Sequence, residues 1–474
     1  MPYSYKKVKQ IQTEFVIIKF IINNHQILRY IMFRNLLFSA GLILVLCLTS
    51  TTSYSQFNPI KFERDSLPNG LQVIYQVDKT APVVATVVHY RVGSRDEVKG
   101  KTGYAHFFEH LMFEATDNIP RASIDKYVQE AGGTLNAHTS WDETVYFFQM
   151  PSHHLNLALW IESQRMRKLR VDSIGVETQR GVVIEELKMR TINQPYGTFL
   201  NKLCENLFPG SQYAWPVIGY EEDLKKATIA DFREFYDKHY QPSNAVLVIS
   251  GDFEVKEAKK YVNEYFGIYP RVEVPKNPFT LSSLEVPFTE TIDDPKAQLP
   301  AMFICYRGPK KTDDDYYTMN LLVNIIAAGE SSRLYQRLVD KEQAAVVAQL
   351  SPLPLEYGGI LFFVGVPSPG KDTKDIEKLF YDEVKKIVLE GVTSAELEKA
   401  KNITEASFVS GKRNVLEKAN DLAAYFSYFS SPELINTVMK KYDKITIEDI
   451  KTAAKKWLDT DKKLVLTYMP GSSR

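Results

Sequence analysis

Two of the chain's eight histidines lie four residues apart in the segment GYAHFFEHLMFEAT, residues 103–116. If this segment is a helix, His106 and His110 leave the same face one turn apart, with Glu109 flanking that face. The other residues are largely apolar, which suits a buried helix. Two imidazoles at this spacing can bind one zinc ion, leaving the nearby carboxylate free to act on a water molecule. The pattern also fits a pair of core histidines that are hydrogen-bonded to their neighbours.

A catalytic zinc ion needs a third protein ligand, and the segment ETQRGVVIEELKMR, residues 177–190, offers one. A helix here would have four residues on its buried side: Val182, Val183, Leu187 and Met189. That arrangement directs Glu186 inward and Glu185 farther out. A buried carboxylate requires a cation or hydrogen-bond donors. Zinc would meet this need, and spacing alone also leaves a salt bridge to an arginine or lysine open.

The elements that must position these residues occur twice in the chain. TIADFREFYDKHYQPSNAVLVISGD, from Thr228, matches TIEDIKTAAKKWLDTDKKLVLTYMPG, from Thr446, at an offset of 218. ATVVHYRVGSRDE, residues 85–97, matches AMFICYRGPKKTDD, residues 301–314, at an offset of 216. The first pair predicts a threonine-capped amphipathic helix followed by a polar turn and a buried strand. Two similar offsets in the same order favour an internal duplication, although a recurrent helix–strand pattern can produce such matches by chance.

This pattern predicts an α+β fold of two duplicated domains, each a mostly antiparallel sheet with helices on one face. Apolar runs predict strands at 71–75, 83–90 and 245–249, among others. A stretch between the halves is rich in proline, serine and threonine and has no helical period, which indicates an extended linker. We predict four segments: a leader at 1–56, a zinc-bearing domain at 57–270, the linker at 271–297 and a second domain at 298–474.

The beginning of the chain has the pattern of a secretion signal. Arg34 precedes an apolar run at 36–48, and the small residues Ser53 and Ser55 follow in the spacing that signal peptidases prefer. Because the run is short for a bilayer span, we predict a cleaved leader, with a mature start near residue 56 and no permanent membrane span. Residues 1–31 precede a second methionine and are compatible with a misassigned start. The predicted location is secreted, in the periplasm.

Composition argues against a nucleic-acid-binding protein and against a disulfide-stabilised protein. Lys+Arg and Asp+Glu both number 58, so no net charge attracts nucleic acid. Only Cys204 and Cys305 remain after the predicted cleavage, too few for a disulfide framework and without metal-site spacing. We expect both to be small buried hydrophobic residues.

The motifs taken together resemble the pitrilysin/insulinase family of zinc peptidases, the inverzincins, whose signature is HxxEH with a glutamate about 75 to 80 residues further on. Here 75 residues lie between His110 and Glu186. The resemblance implies that His106, His110 and Glu186 bind one Zn²⁺ per chain and that Glu109 is the general base. It also implies that each half adopts the family's α+β domain, the two forming half of a clamshell, as in mitochondrial processing peptidase.

Two further segments bear on this resemblance. GGTLNAHTSWDETVYFFQM, residues 132–150, predicts a hairpin with strands at 134–139 and 144–150. In the family such an edge strand pairs with an extended peptide, so that Asn136 and Ala137 are the implied substrate contacts. Gln179 departs from the family pattern, because many relatives carry a supporting glutamate seven residues before the third ligand.

The second half departs from the resembled family more sharply. Active relatives carry an arginine and, seven residues later, a tyrosine that help to hold the substrate and its developing oxyanion. Here Val339 and Val346 stand at those positions. Some family members divide the two sets of residues between two chains, which predicts a heterodimer with a homologous Arg/Tyr-bearing partner. Alternatively, Arg333 or Arg337 reaches the site from a shifted helix and the chain acts as a homodimer.

The resemblance therefore implies a secreted zinc endopeptidase subunit that hydrolyses short or unfolded peptides. Two other readings are open: a processing peptidase for one specific precursor, and a catalytically silent scaffold subunit. The intact HxxEH motif and Glu186 argue against the scaffold, because silent relatives usually lose those residues.

Overall fold

A computed structural model describes residues 58–275, 278–284 and 287–471. The predicted leader at 1–56 lies outside these residues. Among the described residues, no helix combines the length and the apolar character that crossing a membrane requires.

The first sheet has six strands. Their bounds are β1 (Glu63–Ser66), β2 (Gln72–Val77), β3 (Val83–Tyr90), β4 (Thr134–Thr139), β5 (Thr144–Pro151) and β6 (Ala245–Gly251). Their order across the sheet is β1-β2-β6-β3-β5-β4, with β2 parallel to β6 and the other neighbours antiparallel. The hairpin strand β4 therefore forms one edge of the sheet.

The second sheet has five strands. Their bounds are β7 (Phe288–Asp294), β8 (Ala301–Gly308), β9 (Ala345–Leu353), β10 (Gly359–Pro367) and β11 (Leu464–Pro470). They lie in the order β7-β11-β8-β10-β9, with β7 parallel to β11 and the other neighbours antiparallel. Strand β7 lies within the segment 271–297, which the sequence predicts to be an extended linker. This part of the segment is a strand because its backbone pairs with β11 along its full length.

The two sheets share one plan, which confirms the predicted duplication of an α+β unit. Without β1, the order of the first sheet corresponds strand by strand to that of the second. The register corresponds as well. Val88 is paired with Leu247 in the first sheet, and Ile304 is paired with Val465 in the second. These residues are related by the offsets of 216 and 218 seen in the sequence.

Fourteen α-helices connect and cover the described strands. In the first half they are α1 (Tyr104–Leu111), α2 (Ile124–Glu130), α3 (Leu155–Arg167), α4 (Ser173–Leu187), α5 (Phe199–Leu207), α6 (Glu221–Lys226), α7 (Ile229–His239) and α8 (Val255–Phe266). In the second half they are α9 (Asp315–Ala327), α10 (Thr373–Glu390), α11 (Ser394–Gly411), α12 (Val415–Phe429), α13 (Met439–Asp443) and α14 (Ile447–Trp457). Short π-helical segments follow α4 at Lys188–Ile192 and precede β9 at Tyr335–Lys341.

The repeated helix caps are those the sequence predicts. The Thr228 side chain accepts a hydrogen bond from the backbone N–H of Asp231, whose carboxylate in turn accepts one from the N–H of Thr228. Thr446 and Asp449 make the same reciprocal pair at the start of α14. Each pair supplies partners for N–H groups that a helix leaves free at its first turn.

Helix α12 belongs to the second half but packs on the first sheet. Its residues Ala419, Leu422 and Ala423 contact a patch on the sheet face opposite to α1; that patch comprises Ile74, Val87, Val145, Val246 and Val248. Both faces of the first sheet are therefore covered, and the expectation of helices on one face is wrong for this half. From Pro59 onward the chain forms one compact unit, and the predicted boundaries at 270 and 298 stay predictions.

Both cysteines outside the leader are buried free thiols. Burial raises the pKa of the Cys204 and Cys305 thiols, which keeps them protonated at neutral pH. They pack with the aromatic residues of one apolar cluster, as the sequence analysis expects.

Candidate metal centre

A glycine precedes helix α1, and a buried carboxylate accepts hydrogen bonds from backbone N–H groups at the start of the helix. Gly103 precedes the helix with φ of 85°, a conformation that residues with a Cβ rarely adopt. The carboxylate of Glu97 accepts hydrogen bonds from the N–H groups of Gly103 and Ala105, each at 2.8 Å. Trp215 Nε1 donates a third bond to Glu97 at 3.1 Å. The start of α1 is thus held by a residue that precedes the helix.

The face of α1 that carries Phe107 and Phe108 is buried among aromatic side chains. Phe107 and Phe108 are fully buried, and Phe107 stacks on Phe232 of α7 with ring centroids 4.3 Å apart. This packing fixes the rotation of the helix about its axis. As a result, His106 and His110 point towards helix α4.

Helix α4 is capped by Asp172, whose Oδ1 accepts a hydrogen bond from Gly175 N at 2.8 Å. The apolar residues on its buried side are Val176, Val183, Ile184 and Leu187. The predicted buried face is wrong at Val182 and Met189, which are 47% and 61% exposed. Val182 is a full helical step of about 100° from Val183, and Met189 lies in the π-helical segment, where the α-helical period no longer holds. Glu185 points to solvent and pairs with Lys188 at 2.8 Å.

The two histidines and Glu186 converge at the contact between α1 and α4. Oε2 of Glu186 lies 3.6 Å from Nε2 of His106 and 3.2 Å from Nε2 of His110. The ligand atoms of the three side chains all lie within 4.8 Å of one another, and no other group of this kind occurs among the described residues. The side chains of His110 and Glu186 are each 22% exposed, so the cluster is open on one side.

The protonation states of these groups suit a metal site. Burial lowers the pKa of His106 to about 4, and the neighbouring His110 acts in the same direction. The hydrogen bond from His110 lowers the pKa of the Glu186 carboxyl. His106 is therefore neutral and Glu186 ionised at neutral pH, which are the forms that bind metals.

A fully hydrogen-bonded pair of core histidines does not describe the site. Nδ1 of His106 is buried and has no hydrogen-bond partner in the described part of the chain. Two imidazole nitrogens and one carboxylate oxygen form a ligand set typical of catalytic zinc, which leaves a fourth position for water or substrate. The residues therefore fit a zinc ion. The salt bridge that the sequence left open is also present, since Arg190 Nη2 lies 2.6 Å from Oε1 of Glu186 and leaves Oε2 facing the histidines.

A chain of polar side chains that the sequence analysis did not identify stands behind His110. Nδ1 of His110 lies 3.3 Å from Oε1 of Gln179, and Gln179 Nε2 donates to Glu114 at 2.7 Å. Glu114 in turn accepts a hydrogen bond from Arg121, which also binds Asp172, the cap of α4, at 2.9 Å. A signal for Glu114 exists in the sequence, because an acidic residue four positions after His110 in an apolar segment needs a partner.

The predicted general base is attached to the edge strand. Oε2 of Glu109 accepts a hydrogen bond from Thr139 Oγ1, at the end of β4, at 2.6 Å. Thr139 is not among the site residues that the sequence predicts. Strand alternation could have found it, because Leu135, Ala137 and Thr139 share the inward side of β4 and Thr139 is the polar member.

The two predicted substrate contacts lie on β4 but on opposite sides of it. The Asn136 side chain is exposed, whereas Ala137 is 9% exposed and belongs to the first core cluster. The Ala137 N–H is bonded to the Asn136 side-chain oxygen at 2.9 Å. The feature that Asn136 and Ala137 share is therefore the backbone of an edge strand, which is available for hydrogen bonds to an extended peptide. Their contact with a substrate stays a prediction.

The second half has no comparable cluster among its described residues. Helix α9 follows β8 as α1 follows β3, and it buries Leu322 and Ile326 instead of histidines. Val346, at the position predicted for the family tyrosine, is 51% exposed on β9. Arg333 makes two hydrogen bonds to Glu396, at 2.6 and 2.8 Å, and Arg337 lies 3.2 Å from Glu342. Arg333 and Arg337, the two arginines that the homodimer alternative would bring to the site, are thus both paired with glutamates of the second half.

Two family models match the chain in sequence. Residues 72–219 match the model described as Insulinase (Peptidase family M16), and residues 226–404 match the Peptidase M16 inactive domain. The zinc protease PqqE of Helicobacter pylori is 29% identical over 392 residues, which cover 82% of this chain and 87% of that protein. A probable β subunit of the mitochondrial-processing peptidase of Arabidopsis thaliana is 23% identical over 412 residues, covering 83% and 75%.

Solved structures share the fold. A protease from Helicobacter pylori superposes with a TM-score of 0.81 at 27% identity, covering 87% of this chain and all of that one. The first half of the periplasmic protease PqqL from Escherichia coli superposes with a TM-score of 0.72 at 20% identity, covering 87% and 93%.

Proposed function

Because the chain belongs to the insulinase family of peptidases, peptidase family M16, we propose that it is a zinc-dependent endopeptidase subunit for short or unfolded peptides. The observation that carries the proposal is the convergence of His106, His110 and Glu186 within 4.8 Å, with Glu109 on the same helix. A scaffold would not need this set of ligands at one open position.

The proposed division of roles follows from the positions of the four side chains. Bound by His106, His110 and Glu186, a zinc ion supplies Lewis-acid activation of a water molecule and of the scissile carbonyl. Glu109 accepts the proton of the attacking water and returns it to the departing amine nitrogen. Thr139 holds one oxygen of Glu109 at 2.6 Å and so restricts the rotation of the carboxylate.

The edge strand gives the proposed substrate class a physical basis. One side of β4 pairs with β5, and the other has no strand beside it among the described residues. An extended peptide can add to this edge through backbone hydrogen bonds, which demand little of its sequence. Asn136 and Ala137 are the proposed points of contact. A folded protein cannot bind in this way, because its backbone groups are already paired.

We propose a second chain as a partner for full activity. Val339 and Val346 provide no hydrogen-bond donor for a developing oxyanion, and Arg333 and Arg337 are paired with glutamates. A homologous chain that carries the Arg/Tyr pair would supply the missing donors. The proposed location is the periplasm, supported by the leader pattern at 32–56 and by the periplasmic PqqL, which shares the fold.

The metal content of the purified mature chain tests the proposal. We expect about one zinc ion per chain, and strong loss of zinc in His106→Ala, His110→Ala and Glu186→Ala. Glu185→Ala is the matched control, since the neighbouring glutamate points to solvent. Full zinc occupancy in Glu186→Ala would remove that residue from the ligand set.

A second arm separates metal binding from hydrolysis. Glu109→Gln keeps the size of the side chain but cannot accept a proton, so it should retain zinc and lose cleavage of a quenched peptide. A zinc-loaded wild-type chain without turnover, alone or with a partner, would favour the scaffold subunit instead.

A further inference from the structure

The turn that joins β4 to β5, residues 140–143, is held by groups from distant parts of the chain; we call it the hairpin tip. Its Asp142 side chain is 2% exposed. Oδ1 of Asp142 accepts a hydrogen bond from the Tyr213 hydroxyl at 2.6 Å, and Oδ2 accepts one from the backbone N–H of Glu356 at 2.8 Å. Since Glu356 lies between β9 and β10, the second half is bonded directly to the tip.

The adjacent residue of the tip, Glu143, is bonded to helix α12. The hydroxyl of Tyr428 donates to Oε2 of Glu143 at 2.6 Å, and Nζ of Lys311 lies 3.8 Å from the centre of the Tyr428 ring. Two imidazoles also face the carboxylate: Nε2 of His89 at 3.4 Å and Nε2 of His138 at 3.7 Å. Burial lowers the pKa of His89 to about 4 and raises that of Tyr428 well above its usual value, so both are neutral at physiological pH.

The other end of this connection is the proposed general base. Thr139 is the last residue of β4, next to the tip, and its hydroxyl binds Glu109 at 2.6 Å. The backbone of the tip is also held by the segment that follows β3, since Ser94 N and Arg95 N donate to the carbonyls of Ser140 and Trp141 at 3.2 and 3.0 Å. Because Thr139 adjoins the tip, a displacement of the tip moves Thr139 relative to α1.

We propose that Tyr428 is a positioning residue for the peptidase site: through Glu143 and the hairpin tip it holds both the edge strand β4 and the Thr139–Glu109 hydrogen bond. The inference rests on the proposed function, in which β4 receives the substrate and Glu109 moves the proton. It adds a specific role for the second half, whose helix α12 would set the geometry of a site that lies in the first half.

The role of the hydroxyl can be separated from the role of the ring. The packing of α12 on the first sheet comes from apolar residues such as Ala419, Leu422 and Ala423. Tyr428→Phe keeps the aromatic ring and removes only the donor to Glu143. Tyr425→Phe is the matched control, because Tyr425 is a similarly half-buried tyrosine on the same helix. Within the described residues its hydroxyl makes no hydrogen bond to the hairpin tip.

Hydrogen exchange of the mature chain tests the mechanical part without any need for activity. We expect Tyr428→Phe to increase exchange of the amides at 134–139 by about three- to ten-fold, the range of one hydrogen bond, while the melting temperature falls by at most about 4 °C. Tyr425→Phe should leave exchange as in the wild type. Equal protection of β4 in both variants would overturn the proposal.

Peptide turnover in the presence of the Arg/Tyr-bearing partner tests the functional part. Tyr428→Phe should lower kcat and raise KM for an extended peptide, each by about three- to ten-fold, with full zinc content. The double variant Tyr428→Phe/Thr139→Val should have a kcat less than about two-fold below that of Thr139→Val alone, because both changes break the same connection. Additive losses in kcat, or a Tyr428→Phe variant indistinguishable from Tyr425→Phe, would overturn the proposal.

A wild-type chain without turnover would instead refute the proposed function, and the exchange result would still decide whether Tyr428 restrains β4.

Discussion

Oε1 of Gln179 lies 3.3 Å from Nδ1 of His110, across the imidazole ring from the Nε2 atom that faces Glu186. The amide of Gln179 is oriented by its second contact, since Nε2 donates to Glu114 at 2.7 Å. Its oxygen is therefore placed to accept a proton from Nδ1 of His110, so that Nε2 is the ring atom that would bind a metal ion. Gln179 thus retains the acceptor that the family's glutamate would provide, without its charge.

Gln179→Ala should weaken zinc binding by about 10- to 100-fold, the usual effect of removing a hydrogen-bond partner of a metal ligand. A competition titration with a chelator of known affinity measures the change. Thr178→Ala, an exposed substitution next to it on α4, is the control. Equal zinc affinity in the two variants would show that Gln179 does not orient His110.

Arg333→Ala should destabilise the chain by about 1.5–3 kcal/mol, the usual range for hydrogen bonds to a charged group. The hydrogen bonds from Arg333 lower the pKa of Glu396 to about 2. This pair therefore contributes its stability above the unfolded-state pKa near 4.5, and the contribution is lost as the pH falls through 2. Denaturant titrations at several pH values should show the difference between wild type and variant narrowing below pH 4.5.

Arg337→Ala is the control for that experiment, because its pair with Glu342 is more exposed and should contribute at most about 1 kcal/mol. The same two variants test the homodimer alternative. Loss of peptidase activity in Arg333→Ala without loss of stability would place that guanidinium at the catalytic site and contradict the structural role.

Without a partner, the chain should be a poor peptidase. Removing one transition-state donor typically costs about 10²–10³ in kcat, and Val339 and Val346 replace two donors. Adding an equal amount of a homologous chain that carries the Arg/Tyr pair should restore kcat/KM on one quenched peptide. Glu109→Gln in this chain should abolish the restored activity, which assigns the turnover to its own site. Rates that agree within a few-fold with and without the partner would exclude the two-chain model.

Cleavage should require an unpaired backbone. A stable globular protein should resist digestion, whereas the same protein held unfolded by reduction and alkylation should be cleaved, because β4 can pair only with a free strand. Gel electrophoresis over time compares the two forms, and Glu109→Gln serves as the blank. Similar rates for the native and the unfolded form would contradict binding at the edge strand.

The sequence predicts those parts of the fold that depend on local apolar patterns. The strand predicted at 83–90 has the bounds Val83–Tyr90, and the strands of the hairpin begin at Thr134 and Thr144 as predicted. These are continuous or alternating apolar runs between turn residues, which carry their own signal. The face of α4 shows the limit of this approach. Glu186 does face the histidines, but Val182 is exposed, because the packing partners of a helix are not encoded in its own period.

The contacts that orient the candidate site could not be predicted from spacing. Thr139 and Glu109 are 30 residues apart, Gln179 and Glu114 are 65 apart, and Tyr428 and Glu143 are 285 apart. Each depends on how separate elements pack, and a polar residue on a helix or strand has many possible partners before the fold is known. The histidines, by contrast, are four residues apart on one helix, so their spacing alone brings them together.

Helix α12 covers the first sheet, yet it begins at Val415, long after the last strand of that sheet ends at Gly251. A growing chain is synthesised from its N-terminus, so the sheet face formed by Ile74, Val87 and Val248 stays open to water until the ribosome has added residues 415–429. The first half consequently cannot bury this face until α12 has been synthesised. A transiently exposed apolar face of this kind favours association with chaperones until α12 covers it.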